Sequence, residues 1–502
     1  MFRFQRVSRN FGVLVAMGVA AGLSACAGPG DPLRAPQENE TPSGAPAGEE
    51  PGGAPGAEPG TAPGASLEPV APGAGTDPPV AGAGEGAEGM VVGALDPAPE
   101  PGAVPTVPPT EGEVVPPAAP TGDPGVLLGT PERPLLEPAA AARLDVLDYL
   151  AAAGSLTTGL VRDDWDPSAG VGDERTFTPD FLVAVSGGTH NSVQAAITAA
   201  VTAGGTARRF IEVAAGTYRE LVCVPNGAPP ITLYGTDPDA SLTTIVFDNN
   251  SGKPKAAGVS ANPCNANLNG TTFGTSGSAT FAAYAAEFQA KNLSFVNDTN
   301  EATATGGLQA VALMTQGDRL VFENVRVLGN QDTLLVKTPD TDTVRRAYFK
   351  DCFVEGDTDF IFGRGTFVFD GCTIRSLTSR TAGGVVAAPS TDARNPFGIL
   401  ITRSSFIGDA TAGASSTHLG RAWDESQVDV ATYSTNAQSG VYPNGQVLVR
   451  ESTLGPHIQS AGPWRAAATT NRPFSSVASA TVPANRMFEF GNTLGGAAGL
   501  AP

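Results

Sequence analysis

Two aspartates and two glutamines in the middle of the chain are spaced as carbonyl chemistry would need them. Gln309, Asp332 and Asp359 each precede a short apolar run: residues 310–313 (AVAL), 333–336 (TLLV) and 360–363 (FIFG). The three polar residues recur at steps of 23 and 27 residues. If the runs are strands of one ladder, equivalent positions stack about 4.8 Å apart. Gln309, Asp332 and Asp359 then form a column on one face. Two carboxyl groups that close do not readily ionise together, so one keeps its proton. Such a pair joins a nucleophile or base to an acid, with the amides of Gln309 and Gln331 as donors beside them. An isolated Asp at such a corner would mean no more than a capped turn. Two in shared register, flanked by glutamines, favour a site.

A repeating scaffold must position this column. Residues 322–327 (FENVRV), 349–354 (FKDCFV) and 369–374 (FDGCTI) align with one another. Repeats of this length, apolar at strand positions and ended by Gly, Asn and Asp, indicate an all-β chain wound as a parallel solenoid. Further rungs are expected at residues 210–213, 231–234, 244–247, 290–295, 398–406 and 446–454. Residues 189–201 read as a helix with Val193, Ala196, Ile197 and Val201 on one side. A second short helix is expected within residues 139–160, with Leu144, Val146, Leu147 and Leu150 on its apolar side, capping the solenoid's N-terminal end. Residues 251–280 and 424–445 read as long polar loops walling a cleft.

Five stretches, GTYRE (216–220), QAVAL (309–313), QDTL (331–334), DFIFG (359–363) and LGRAW (419–423), occur in the order seen in pectin methylesterases. The chain resembles that family over residues 172–497. DWDP (164–167) and GGTHNSVQAA (187–196) resemble its bacterial lipoprotein branch, some members of which are described as acyl-CoA thioesterases. The resemblance implies a right-handed parallel β-helix that hydrolyses methyl esters of galacturonate in pectin or oligogalacturonides, without a cofactor. It makes Asp359 the nucleophile, Asp332 the general acid/base, Gln309 and Gln331 the oxyanion hole, and Arg421 the group that orients Asp359. Trp423 and Phe362, with Arg421, are the implied substrate-binding residues. His418 and Ala422 stand where the family often has Tyr and Pro, which bears on substrate fit more than on chemistry.

The first 26 residues read as a leader: Arg3, Arg6 and Arg9, then an apolar run too short to span a bilayer comfortably. It ends in LSAC (23–26), which resembles a lipobox and would leave Cys26 lipidated. That places the protein in a bacterial envelope, lipid-anchored, on the outer membrane by the Ala27 that follows. Residues 27–138 are rich in Pro, Gly, Ala and Glu and too poor in large apolar residues to offset their ordering entropy. They read as a disordered tether, followed by a lead-in at 139–171 and the catalytic solenoid at 172–497. Without Cys26, four of the five cysteines remain. Cys352 and Cys372 hold the same position in consecutive repeats and are expected to pair, leaving Cys223 with Cys264 by elimination. The three histidines are scattered, so no metal site is expected. With 30 Lys and Arg against 50 acids, nucleic acid is not an expected partner. A capped solenoid of this kind is expected to be a monomer.

Two other readings of the carboxylates stand beside the esterase. A retaining glycosidase, or a lyase on the same polymer, also uses close acidic groups, but the QDTL and DFIFG contexts with LGRAW match esterases. A non-catalytic surface solenoid would tolerate loss of Asp332, Asp359 and Arg421, whereas the esterase requires all three.

Overall fold

The computed structural model describes residues 127–378 and 384–495. The expected leader, Cys26, and the tether up to residue 126 lie outside them. The chain winds as a right-handed parallel β-helix with three faces, each coil giving one strand to each face. One face is a seven-stranded parallel sheet running from Val222–Val224 through Phe281–Ala283, Leu313–Thr315, Leu334–Val336, Thr358–Gly363 and Gly384–Pro389 to Thr417–Gly420. The other two are halves of one larger sheet, folded sharply between them. Arg346–Lys350, for example, lies on the second face and Phe353–Gly356 on the third.

One residue per coil makes that fold, and the ladder explains its type. Asn292, Asn324, Asp351, Arg403 and Glu451 all have positive φ, between 48° and 55°, at equivalent positions, and Gly371 and Gly491 join them. A left-handed residue turns a strand within one step, and Asn, Asp and Gly tolerate it best. Asn324 also donates through Nδ2 to Asn292 Oδ1 at 2.8 Å, so the corner carries its own side-chain ladder. Inside, the repeated phenylalanines stack. Phe322 on Phe349 and Phe349 on Phe369 have ring centroids 4.7 Å apart, which is the rung spacing itself.

The N-terminal end is closed by the helix Val193–Ala203, which buries Val193, Ala196, Ile197 and Ala200 in the core. Its first turn is held by Glu220: Oε1 accepts from the Val193 amide at 2.8 Å and Oε2 from Gln194 at 3.0 Å. The acidic end of GTYRE is therefore a helix-capping carboxylate, favoured there by the helix dipole.

The lead-in departs from expectation. Instead of one helix over 139–160 there are two short ones, Pro138–Ala141 and Val146–Ala151, then a hairpin of Ala152–Ser155 with Gly159–Arg162. Asp145 and Asp148 form a capping box that starts the second helix afresh. The segment does not cap the first coil. Tyr149 and Leu150 pack on the outer side of the solenoid against Tyr348, Val368, Leu400 and Leu448. Arg346, 1% exposed, pins it by donating to Asp163, Asp318 and the Leu150 carbonyl. The end of the expected tether is also ordered: Leu127–Thr130 and Arg133–Leu136 form a hairpin whose second strand pairs with the final long strand, Arg486–Phe490. That hairpin covers an edge which would otherwise be open to pairing.

The cysteines divide differently from the expectation. Cys223 and Cys264 form a disulfide, Cα atoms 5.3 Å apart. Cys352 and Cys372 are buried thiols. Equivalent positions in a parallel ladder point their Cα–Cβ bonds the same way, about 4.8 Å apart, wider than the ~3.8 Å between Cβ atoms that a disulfide requires. Each thiol donates to a carbonyl of the preceding coil, Cys352 to Phe322 and Cys372 to Phe349, both at 3.4 Å.

Candidate active site

The seven-stranded face carries the site because its entry corner is occupied by acids. Leu313, Leu334 and Ile361 stack in register, so Asp332 and Asp359, each two residues earlier, lie on adjacent coils. Both are left-handed, with φ of 64° and 49°, a conformation that costs about 1–2 kcal/mol each. The ladder between Thr358–Gly363 and Gly384–Pro389 slips between Thr358 and Ile361, so Asp359 sits in a bulge. Bulges re-aim side chains, and they recur beside active sites.

Gln309 is not a member of this column. By the same register the residue stacked on Asp332 is Val311, and Gln309 lies two positions earlier. It is held from the 251–280 loop instead: Ser251 Oγ donates to Gln309 Oε1 at 2.5 Å, and the Ser251 amide donates to the Gln309 carbonyl at 2.8 Å. That engagement turns the amide's oxygen to Ser251 and leaves Nε2 as the donor end. The approach needs glycine, since a Cβ on Gly307 would lie 2.3 Å from Ser251 Oγ and 2.6 Å from Gln309 Oε1.

Arg421 comes from the far side of the carboxylates. It follows Thr417–Gly420, and its amide extends the ladder by donating to the Ala387 carbonyl at 2.9 Å. Its Nε donates to Asp359 Oδ1 at 2.9 Å and to Oδ2 at 3.1 Å, and Nη2 makes a further short bond to Oδ2. The clamp orients the carboxylate through paired, charge-assisted hydrogen bonds. Asp332 has no such partner among the described residues. Burial first, then the charge of Asp359, push its carboxyl well above the usual range, against the weaker pulls of Arg421 and the Gln331 amide. One acid is thus clamped by a guanidinium and its neighbour is driven to keep a proton.

Beside the acids runs an apolar floor. Val311, Met314, Leu335, Phe362 and Ala388 share one cluster, bordered by Tyr284 and Trp423. Phe362 and Trp423 lie 5.6 Å apart, inclined at 54°. Arg421 and Trp423 stand two residues apart on one face, for the Trp423 amide donates to the Pro389 carbonyl as Arg421 does to Ala387. The Cys223–Cys264 bond fastens the 251–280 loop to the first strand of this face, making that loop a wall. The other expected loop contains a helix, Val430–Ser439, capped by Asp429 and ended by left-handed Gly440. Those two residues were the signals for it. Sequence reasoning also missed its anchor, the buried pair Arg472–Asp424 at 2.8 Å, with the Arg472 guanidinium over the Tyr433 ring. His418 is held below its ordinary value by burial and then by Arg465, so it is neutral at neutral pH.

A clamped carboxylate beside a protonated one, on the open face of a parallel β-helix, is the equipment of an acid-pair hydrolase. The comparisons define it further. A family model described as Pectinesterase matches residues 180–451. The chain is 47% identical over 369 residues to the pectinesterase of Ralstonia nicotianae, covering 72% of this chain and 91% of that one. The solved structure of rice weevil pectin methyl esterase superposes with a TM-score of 0.62 at 32% identity, over 74% of this chain and 99% of the other. That of Escherichia coli YbhC gives 0.61 at 30%, over 73% and 96%. The chain belongs to the pectinesterase family and is a carboxylic ester hydrolase.

Proposed function

We propose that the protein removes methyl groups from galacturonate units of pectin or oligogalacturonides, with Asp359 as nucleophile and Asp332 as acid and then base. The observation that carries this reading is the contrast between the two aspartates. The Asp359 carboxylate attacks the ester carbonyl, and the amides of Gln309 and Gln331 donate to the oxygen as it becomes negative. The tetrahedral adduct collapses, the C–O bond to the methoxy group breaks, and that group leaves as methanol with the proton of Asp332. This leaves a mixed anhydride between Asp359 and the galacturonyl carbon. Asp332, now ionised, takes a proton from water, the oxygen adds to the galacturonyl carbonyl, and Asp359 departs as a carboxylate. Arg421 holds Asp359 in line throughout, and Phe362 and Trp423 offer apolar surface to the sugar and its methyl ester.

The test counts methanol and new reducing ends in one tube, from highly methylated pectin and from methylated oligogalacturonides, with the full chain and its Asp359→Ala variant. Methanol without reducing ends, lost in the variant, supports the reading. New reducing ends would replace it with depolymerisation. We carry forward the envelope location as a second proposal, motivated by the LSAC stretch at 23–26. Expressed in bacteria, the chain incorporates labelled palmitate and sediments with membranes, and Cys26→Ser abolishes both. Labelling that persists in that variant would refute it.

A further inference from the structure

The coils that carry Asp359 and Arg421 are joined by more side chains than the ion pair between those two. Thr358–Gly363 and Thr417–Gly420 lie on either side of Gly384–Pro389, so the two coils are about 10 Å apart. The coil between them places the small residues Ala388 and Ser390 along this line. Longer side chains close over them. Arg421 reaches back to Asp359, and Trp423 to Phe362. Two residues further on, Glu425 reaches back to Arg364, whose Nη2 donates to Glu425 Oε1 at 2.8 Å. Ser390 Oγ donates to Glu425 Oε2 at 2.9 Å, so one carboxylate ties three successive coils.

This tie comes where the backbone ladder gives out. The Trp423 amide still donates to the Pro389 carbonyl, at 3.1 Å, but the Asp424 amide turns away to Thr469 Oγ1 at 3.0 Å. The Asp424 side chain goes inward to buried Arg472, while Glu425 stays on the cleft side. Arg364 is set from the other direction. Its amide donates to the Val336 carbonyl at 3.1 Å. Gly363 makes that approach possible, since a Cβ there would lie 2.0 Å from the Val336 carbonyl oxygen. The Arg364 and Glu425 side chains are 19% and 16% exposed, so their attraction is only partly screened.

We propose that Glu425 is a positioning residue: with Arg364 and Ser390 it forms a clasp that keeps Trp423 inclined on Phe362, and so fixes the apolar wedge that receives the sugar and its methyl ester. The proposal rests on the reading of the substrate given above. An indole already held in place has little side-chain entropy left to lose when substrate arrives, so the clasp acts on binding. The chemical step is left to the separate pair of Arg421 and Asp359.

The experiment pairs methanol release from highly methylated pectin with acrylamide quenching of tryptophan fluorescence in the free full chain. The chain has three tryptophans, so the Trp423 signal is taken as the difference from Trp423→Phe in each background. Glu425→Ala raises KM roughly fivefold with kcat retained, the order expected for one partly screened ion pair, and makes Trp423 easier to quench. Glu425→Gln, which can still bond both neighbours, recovers most of the loss. Arg364→Glu combined with Glu425→Arg binds better than either single change, and these two variants decide the matter should Glu425→Ala fail to fold. Unchanged KM and quenching overturn the proposal, as does a kcat that falls at constant KM, or a reversed pair no better than its single changes. If the wild type releases no methanol yet Trp423 loosens in Glu425→Ala, the clasp stands and the substrate reading falls.

Discussion

Arg421→Ala is the most informative single change in the proposed machinery. The Arg421 and Asp359 side chains are 23% and 11% exposed, so their contact is partly desolvated, and three N–H···O bonds join them. Removing one partner of a buried pair costs about 3–5 kcal/mol, because the other charge is left without compensation. Here the protein has a way to evade part of that cost. The proton confined to Asp332 can be shared with Asp359, which spreads the uncompensated charge over both carboxyls and weakens the nucleophile. Reserving about half of the penalty for stability leaves roughly 1.5–2.5 kcal/mol on the barrier, or about 12–60-fold in kcat, at ~1.4 kcal/mol per factor of ten. Arg421→Lys keeps the charge without the planar fork, so its loss is smaller, on the order of tenfold. Methanol release measured by a coupled oxidase, with kcat and KM resolved separately, reads the difference. A variant with unchanged kcat and a raised KM would refute the reasoning and reduce Arg421 to a substrate contact.

Further outcomes follow from named contacts. Asp332 has a folded-state pKa raised by burial and Asp359, so the folded protein holds a proton that the unfolded chain releases as pH rises. The site therefore costs stability above the unfolded pKa, and Asp332→Asn, always neutral, raises Tm at neutral pH but not at acid pH while abolishing methanol release; thermal melts across pH that show no such divergence contradict this. Activity of the wild type falls as pH rises through that raised pKa. Cleavage of the Cys223–Cys264 bond, which closes a loop of 41 residues, lowers stability by up to about 4 kcal/mol in the chain-entropy account. Peptide mapping without reductant finds Cys352 and Cys372 alkylated only after unfolding, and a crosslinked 352–372 peptide would overturn the thiol assignment. Arg346→Ala removes the bonds to Asp163 and Asp318, costs about 3–5 kcal/mol, and renders the segment 127–165 sensitive to protease, whereas an unchanged Tm and digest would show the lead-in is held by its apolar contacts alone.

What could be read from the sequence follows from which constraints are local. The Phe322, Phe349 and Phe369 repeats were legible because one inward ring per coil must stack on the next. Asp332 and Asp359 were legible because each stands at a fixed distance before its strand. Gln309 misled for a physical reason: its position is set by contact with Ser251 across a glycine-rich insertion, so its spacing to Asp332 does not report register. The cysteine repeat gave correct stacking but not the direction of the Cβ atoms. The end of the expected tether has strands of four residues without clear apolar alternation in sequence, and the second of them pairs with a distant strand, Arg486–Phe490. The helix Val430–Ser439 buries little beyond Tyr433, so it lacks an apolar stripe and only its caps reveal it.

The central claim is that Asp359 becomes covalently attached to the galacturonyl carbon. The direct measurement is to quench the full chain during turnover of a methylated oligogalacturonate with hydroxylamine and map the peptide containing Asp359 by mass spectrometry. The account predicts a hydroxamate on Asp359, or on the released sugar acid, that requires substrate and disappears in Asp359→Ala. Methanol release at full rate with no hydroxamate on either partner would contradict it, and would make Asp359 a base that activates water.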